Sequence, residues 1–286
     1  MSKSKEPRPV IGYWMSERKR QKLNWSEFGK VCRYNGFELV KIELDKPLEN
    51  QGPFAVILHK LTEFIARNDQ EMALIFNERS VVDCKPPCVA QSFVNHNALL
   101  FKIFVVGEEY QVVERPSLKN FYPSDQSTIF FDSHNVSKSD SSSQLSVLDP
   151  EDQAHIPQID INKLETIVKV LREELNLTLF GIDIVVENHT GRHAIIDINV
   201  YPGYDGFPNF FVSLMNCIKM KLAEKKATVE DREAGKTFLK LESKPEQDDS
   251  GFDTCDSSDE RKQRQLISST SINNKISAIS KKSVNR

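Results

Sequence analysis

The chain has 286 residues, of which 39% are hydrophobic and 28% charged, with a formal net charge of -3. That length holds one large domain or two modest ones in a soluble protein. The charge argues against generic nucleic-acid binding, and no apolar run approaches membrane-spanning length. Val10-Ile-Gly-Tyr-Trp14 reads as a strand. Asn24-Trp-Ser-Glu27 reads as a helix N-cap with its capping box, after which Trp25, Phe28, Val31 and Cys32 recur at helical spacing and Gly36 closes the helix. Phe37–Leu44 and Phe54–His59 follow as strands, so residues 9–68 make a βαβ-like unit on a parallel sheet.

From Glu71 the pattern changes to strands and hairpins. Glu71–Phe76, Pro87–Gln91 and Leu99–Val106 read as strands, and Gly107-Glu108 turns the last of these into Tyr110–Glu114. Ser133–Ser146 is a Ser/Asp-rich loop. A helix is predicted at about 160–175, capped by Asp160, with Leu164, Ile167, Val168, Leu171 and Leu175 inward. A carboxylate-bearing hairpin comes next, then an amphipathic helix at about 208–225 that buries Phe211, Leu214, Met215, Ile218 and Leu222. The fold class is therefore mixed α/β.

Residues 241–286 are poor in large apolar side chains and are expected to be a disordered tail. Glu242–Glu260 carries eight acidic residues against Lys244, while Arg261–Arg286 carries seven basic ones and none acidic. Such a split suits weak self-association or a partner, or is simply a solvated tail. Five scattered cysteines read as reduced thiols, and Cys84-Lys-Pro-Pro-Cys88 lacks the second pair of a zinc site. The polar start Met1-Ser-Lys-Ser-Lys-Glu6 has no signal-peptide core, so a cytoplasmic protein is expected.

Phe180-Gly-Ile-Asp183-Ile and Ile195-Ile-Asp197-Ile-Asn199-Val set two carboxylates and a carboxamide inside apolar strands. An ionised carboxylate among apolar neighbours needs compensation, and a hard cation on oxygen ligands supplies it. A three-residue loop His189-Thr-Gly191 would put Asp183 opposite Asp197, with Asn199 on the same face. A four-residue loop would turn the two aspartates to opposite faces. Both a metal site and a pair of strand-end aspartates near water fit this spacing.

Basic residues stand beside strand ends and loops: Arg18, Lys19, Lys60, Lys102, Arg115 and Lys119. Lys102, between Phe101 and Ile103, must meet an anion or snorkel to water. Gathered near the aspartates, these cations would suit a small, highly phosphorylated ligand. Asn95-His96-Asn97 and Ser133-His-Asn-Val-Ser137-Lys138 offer polar groups to a nucleotide, or make ordinary turns.

Together with Gly12-Tyr-Trp-Met-Ser-Glu17, His59-Lys-Leu-Thr62, Arg115-Pro-Ser-Leu-Lys-Asn-Phe121 and Pro202-Gly-Tyr204, these strings resemble the inositol-tetrakisphosphate 1-kinase family over about residues 9–226. The resemblance implies an ATP-grasp fold, with 9–68 as an inositol-phosphate-binding unit and 71–226 as the ATP-grasp domain. It implies Mg²⁺, about two ions, on Asp183, Asp197 and Asn199, and ATP bordered by Gln91, Asn95, His96, Asn97, Lys102, Ser117, Ser133 and Ser137. Inositol polyphosphate would face Lys19, Lys60, Lys102, Asn199 and Gly203. The implied reaction is in-line attack of an inositol hydroxyl on the γ-phosphoryl group, driven by positioning and charge neutralisation without a dedicated acid or base. A monomer is expected.

The chain departs from the family after Thr62, where Glu63–Gln70 runs directly into Glu71. Much of the central domain, with an ATP-contacting lysine and a His-Gly-Thr loop, has no counterpart, and no glycine occurs between Gly52 and Gly107. Impaired kinase activity is therefore expected. The alternatives are an inositol-phosphate-binding protein without turnover and, more remotely, an ATP-grasp carboxylate–amine ligase.

Overall fold

The computed structural model describes residues 7–60, 72–132, 136, 143–154 and 156–241. The Gln70–Glu71 junction, Ser133, Ser137 and the tail from 242 lie outside the described residues. By its contacts the chain divides into two units, Met1–Lys226 and Ala227–Arg286, and the site lies in the first.

The N-terminal sheet is parallel, in the order β2-β1-β3, with β1 at Val10–Trp14, β2 at Glu38–Lys41 and β3 at Val56–His59. Between β1 and β2 run α1 (Glu17–Lys22) and α2 (Trp25–Tyr34). Helix α2 buries Trp25, Phe28 and Cys32, the helical stripe legible in the sequence, and Gly36 takes the left-handed φ of +79° just past its end. The predicted capping box does not form. Asn24 is left-handed (φ 50°) and makes no side-chain cap, and Glu27 pairs with Lys30 instead. The cause is α1, which ends at Lys22, two residues earlier, and leaves Asn24 in a tight inter-helix turn.

The central sheet is antiparallel, in the order β6-β5-β8-β9: β5 Leu99–Val106, β6 Glu109–Pro116, β8 Leu179–Val186 and β9 His193–Val200. Side chains alternate across it. Phe101, Ile103, Val105, Phe180, Ile182, Ile184 and Val186 form one buried face, closed by Leu164, Val168 and Leu171 of α3 (Ile161–Leu175). Asp160 caps α3 through Asn162 and Lys163 N–H, as expected. On the opposite face Phe104 and Val106 join the core of α2 and of α4 (Phe210–Leu241), which takes in Leu214, Met215 and Ile218. Helix α4 continues past the predicted end near 225 to Leu241.

A third, two-stranded sheet pairs β4 (Met72–Leu74) with β7 (Ile129–Phe131). The strand predicted at Pro87–Gln91 is absent: these residues are irregular and Val89 is 96% exposed. Pro86 and Pro87 have no N–H to give a ladder, and among the described residues no strand pairs with this segment.

Candidate active site

The β8–β9 hairpin reaches its predicted register by a different route. Glu187 N–H donates to Arg192 O, which leaves a four-residue loop, Asn188–Gly191, with Gly191 left-handed at φ +68°. Carried onward, that loop would set Asp183 opposite Ile196. A bulge between Asp183 and Ile184 takes up one extra residue, so Ile184 pairs with Ile195 while Asp183 pairs with Asp197. The two aspartates and Asn199 therefore share the open end of the face that carries Phe104 and Val106 further along. Glu187 stabilises the loop by accepting from His189 N–H (3.2 Å) and Thr190 N–H (2.7 Å).

Lys102 pairs with Asp183, so Lys102, Asp183 and Asp197 form a row across three strands. The Lys102 Nζ donates to both Asp183 oxygens, at 2.6 and 2.7 Å. Their side chains are 26% and 13% exposed, so this is a largely desolvated pair rather than a surface bridge. Burial pushes the Asp183 carboxyl above its ordinary value of 3.8, Lys102 pulls it back through charge and hydrogen bond, and Asp197 adds a further upward push. Asp197 accepts its own strand's Ile198 N–H at 2.9 Å and Asn199 Nδ2 at 2.6 Å, which leaves the Asn199 amide oxygen as the acceptor it can offer.

The donor chemistry of this row is two carboxylates and one amide oxygen, all hard ligands of the kind Mg²⁺ takes. Among the described residues no cluster of three or more His, Cys, Asp or Glu side chains gathers to hold a metal, so Asn199 must be counted to reach three ligands.

Two further cations converge on the segment that follows β9. Lys19 Nζ donates to Pro202 O at 3.1 Å and Lys60 Nζ to Tyr201 O at 2.6 Å. Helix α1 and the end of β3 thus bring Lys19 and Lys60 to Pro202 and Tyr201, which lie between Asn199 and Gly203 in the sequence. Tyr201 and Tyr204 both take the left-handed conformation, with φ of 51° and 56°. Such strain in bulky residues is held only where the surroundings enforce it. Here Tyr204 is buried, donates its hydroxyl to Val105 O at 3.1 Å and stacks on Phe210 at 4.3 Å. Asp205 went unnoticed in the sequence. Its carbonyl accepts from Arg115 at 3.0 Å and its carboxylate pairs with Lys22 of α1 at 3.0 Å. Only its place in a glycine-flanked turn hinted at this.

The predicted nucleotide-side residues divide. Asn97 and Ala98 make the left-handed turn into β5. His96 is buried, with Nδ1 2.5 Å from Val94 O and Nε2 2.7 Å from Ser117 Oγ. The carbonyl oxygen can only accept, so Nδ1 carries the proton and Ser117 donates to Nε2. Asn97 exchanges bonds with Asn120 and receives one from Asn188, while Asn95 accepts from Phe121 N–H. These side chains are engaged within the protein, His96 with Ser117, Asn97 with Asn120 and Asn188, and Asn95 with backbone. Gln91 is exposed.

The sequence model of one family, described as the inositol 1,3,4-trisphosphate 5/6-kinase ATP-grasp domain, matches residues 41–220. The chain is similar to the inositol-tetrakisphosphate 1-kinase of Xenopus laevis, 37% identical over 308 aligned positions that cover 73% of this chain and 78% of that protein. It is also similar to the inositol-tetrakisphosphate 1-kinase of Danio rerio, 34% identical over 313 positions covering 74% and 78%. A crystal structure of D-alanine–D-alanine ligase from Bacillus anthracis covers 77% of this chain and 98% of its own at 10% identity and a TM-score of 0.41, a likeness too slight to weigh. In the Xenopus alignment, 73% of 286 residues is about 209, so about 100 of the 308 positions face no residue of this chain. No helix among the described residues is long and apolar enough to cross a membrane.

Proposed function

The chain belongs to the inositol 1,3,4-trisphosphate 5/6-kinase ATP-grasp family, and from that premise we propose that it transfers the ATP γ-phosphate to an inositol polyphosphate hydroxyl, with activity lowered by the absent central segment. The acceptors are inositol 1,3,4-trisphosphate, at the 5- or 6-position, and inositol 3,4,5,6-tetrakisphosphate, at the 1-position. The observation that carries the reading is the Lys102–Asp183–Asp197 row with Asn199 beside it. Asp183, Asp197 and Asn199 would hold Mg²⁺, which would neutralise charge on the transferring phosphates.

The chain's own residues supply position and counter-charge. Lys19 and Lys60 present ammonium groups at the Tyr201–Gly203 edge, where an inositol phosphate would meet them. Lys102 places its ammonium in the carboxylate row, on Asp183. Phosphoryl transfer asks the protein for in-line placement and charge neutralisation more than for covalent chemistry, so a site without a dedicated base is chemically sufficient. The domain division at 68–71, a monomeric state and a cytoplasmic location belong to the same proposal.

The roughly 100 unmatched alignment positions support a second reading, an inositol-phosphate-binding protein without turnover. Anion-exchange separation of products after incubating the purified full chain with Mg-ATP and either inositol phosphate tests the first reading. Slow transfer that is lost in Asp183→Asn and Asp197→Asn is expected. Turnover at an ordinary kinase rate refutes the impairment. Calorimetric binding of inositol phosphate with neither Mg-ATP binding nor product favours the second reading.

A further inference from the structure

We infer that Lys102 occupies the ligand side of Asp183, so that a divalent cation and the Lys102 ammonium compete for the same two oxygens. The inference rests on Asp183 being a cation ligand. Both Asp183 oxygens are already taken by one ammonium, at 2.6 and 2.7 Å. The pairing is built into the sheet, because Lys102 and Asp183 are register partners on neighbouring strands and neither backbone can slide without moving the buried ladder from Phe101 to Val106. A carboxylate this buried must keep one cation, but two cations on it would repel each other at contact distance. The two occupants are therefore alternatives.

Lys102 differs in this from Lys19 and Lys60. Those two donate to backbone carbonyls, which are neutral and are not cation ligands of the row. Lys102 alone of the three must be moved before Asp183 can turn its oxygens to a metal. Its four-carbon stem permits the swing. Once off Asp183, the ammonium needs a new anion, and a phosphate arriving at the same edge offers one. Lys102 thus links the two events: cation binding by itself is opposed, whereas cation and phosphate together satisfy every charge. By reciprocity, whatever draws Lys102 away from Asp183 tightens the cation by the same factor.

The probe is Mn²⁺ alone, titrated into the full chain with free Mn²⁺ read by electron paramagnetic resonance. Lys102→Met is expected to bind Mn²⁺ about tenfold more tightly than the unmodified chain, the scale of one close charge pair. Lys102→Arg, which keeps the charge, is expected to show no such gain. A second measurement needs no substitution. Amine acylation of Lys102, quantified by mass spectrometry of its peptide, is expected to rise when Mn²⁺ is added to the unmodified chain. Equal or weaker Mn²⁺ binding by folded Lys102→Met, or unchanged acylation, overturns the inference while Asp183→Asn still abolishes Mn²⁺ binding. If neither the unmodified chain nor Lys102→Met binds Mn²⁺, the metal assignment itself fails, and the inference falls with it.

Discussion

Asp183 and Asp197 stand directly opposite each other on β8 and β9, although the loop joining their strands is one residue longer than that pairing needs. The bulge at Ile195–Ile196 absorbs the difference between the turn and the site. Turn chemistry set the first register, with Glu187 and Gly191 shaping a four-residue loop. The site required the second, because a shift of one residue sends every side chain to the other face. The hairpin thus carries two registers, and the irregularity between them decides whether three oxygens converge.

His96 carries a pH dependence whose sign follows from its burial. Burial holds its imidazole below the ordinary value of 6.5, against a smaller opposing effect of the Val94 carbonyl. In the unfolded chain His96 takes up its proton near 6.5, whereas the folded chain refuses it until lower pH. The unfolded state therefore binds more protons in the window below 6.5, and stability there falls as pH falls. Urea midpoints measured from pH 8 to 5 should drop for the unmodified chain and drop less for His96→Gln. Parallel curves for the two proteins would show that His96 protonation does not differ between folded and unfolded states.

Much of this architecture was legible beforehand. The α2 and α3 stripes and the β5–β6 hairpin follow from periodicities that a buried surface imposes, and the shared face of Asp197 and Asn199 from strand alternation, whereas the pairing of Asp183 with Asp197 turned on loop length and a bulge. Other parts left no such trace. Helix α1 buries none of its residues, so it has no apolar period to read. Strand β7 spans three residues, too short to alternate visibly. Ile195 and Ile196 look like any strand residues, and nothing in them marks a bulge. Asn95, His96, Asn97 and Ser117 have the same donors and acceptors whether they face a nucleotide or one another, so only coordinates show that they bond internally.

The Asp205–Lys22 pair should matter more for binding than for stability. Its partners are 54% and 59% exposed, so the bridge itself contributes about 0–1 kcal/mol. Yet α1 has no buried residue, and its link to the Tyr201–Phe207 segment runs through Lys19 on Pro202 and Lys22 on Asp205. Asp205→Asn should weaken inositol phosphate binding by roughly two- to fivefold at low salt, and by less at high salt, where exposed charges are screened. Mg-ATP affinity should not change. Calorimetry at two ionic strengths checks this, and reversing the pair with Lys22→Glu and Asp205→Lys should recover part of the loss. A uniform drop in both affinities would instead mean general damage to the fold.

Two glycines on the same hairpin separate site from scaffold. Gly181 pairs with Asn199, and a Cβ there would meet Pro202 Cγ at 3.1 Å and Cβ at 3.3 Å. Pro202 would have to give by a few tenths of an ångström, taking with it the carbonyl that Lys19 holds. Gly191 has nothing within 4 Å of its would-be Cβ but sits at φ +68° in the loop. Gly191→Ala should therefore cost about 1–2 kcal/mol of stability from the left-handed backbone and leave ligand binding intact. Gly181→Ala should cost a similar about 1–3 kcal/mol through overpacking, and should in addition weaken inositol phosphate binding severalfold. Denaturant midpoints and calorimetric titrations on both variants supply the comparison. If Gly181→Ala lost stability yet bound inositol phosphate as the unmodified chain does, the Tyr201–Gly203 segment would not be part of the binding edge, and Lys19 and Lys60 would be fixing the fold alone.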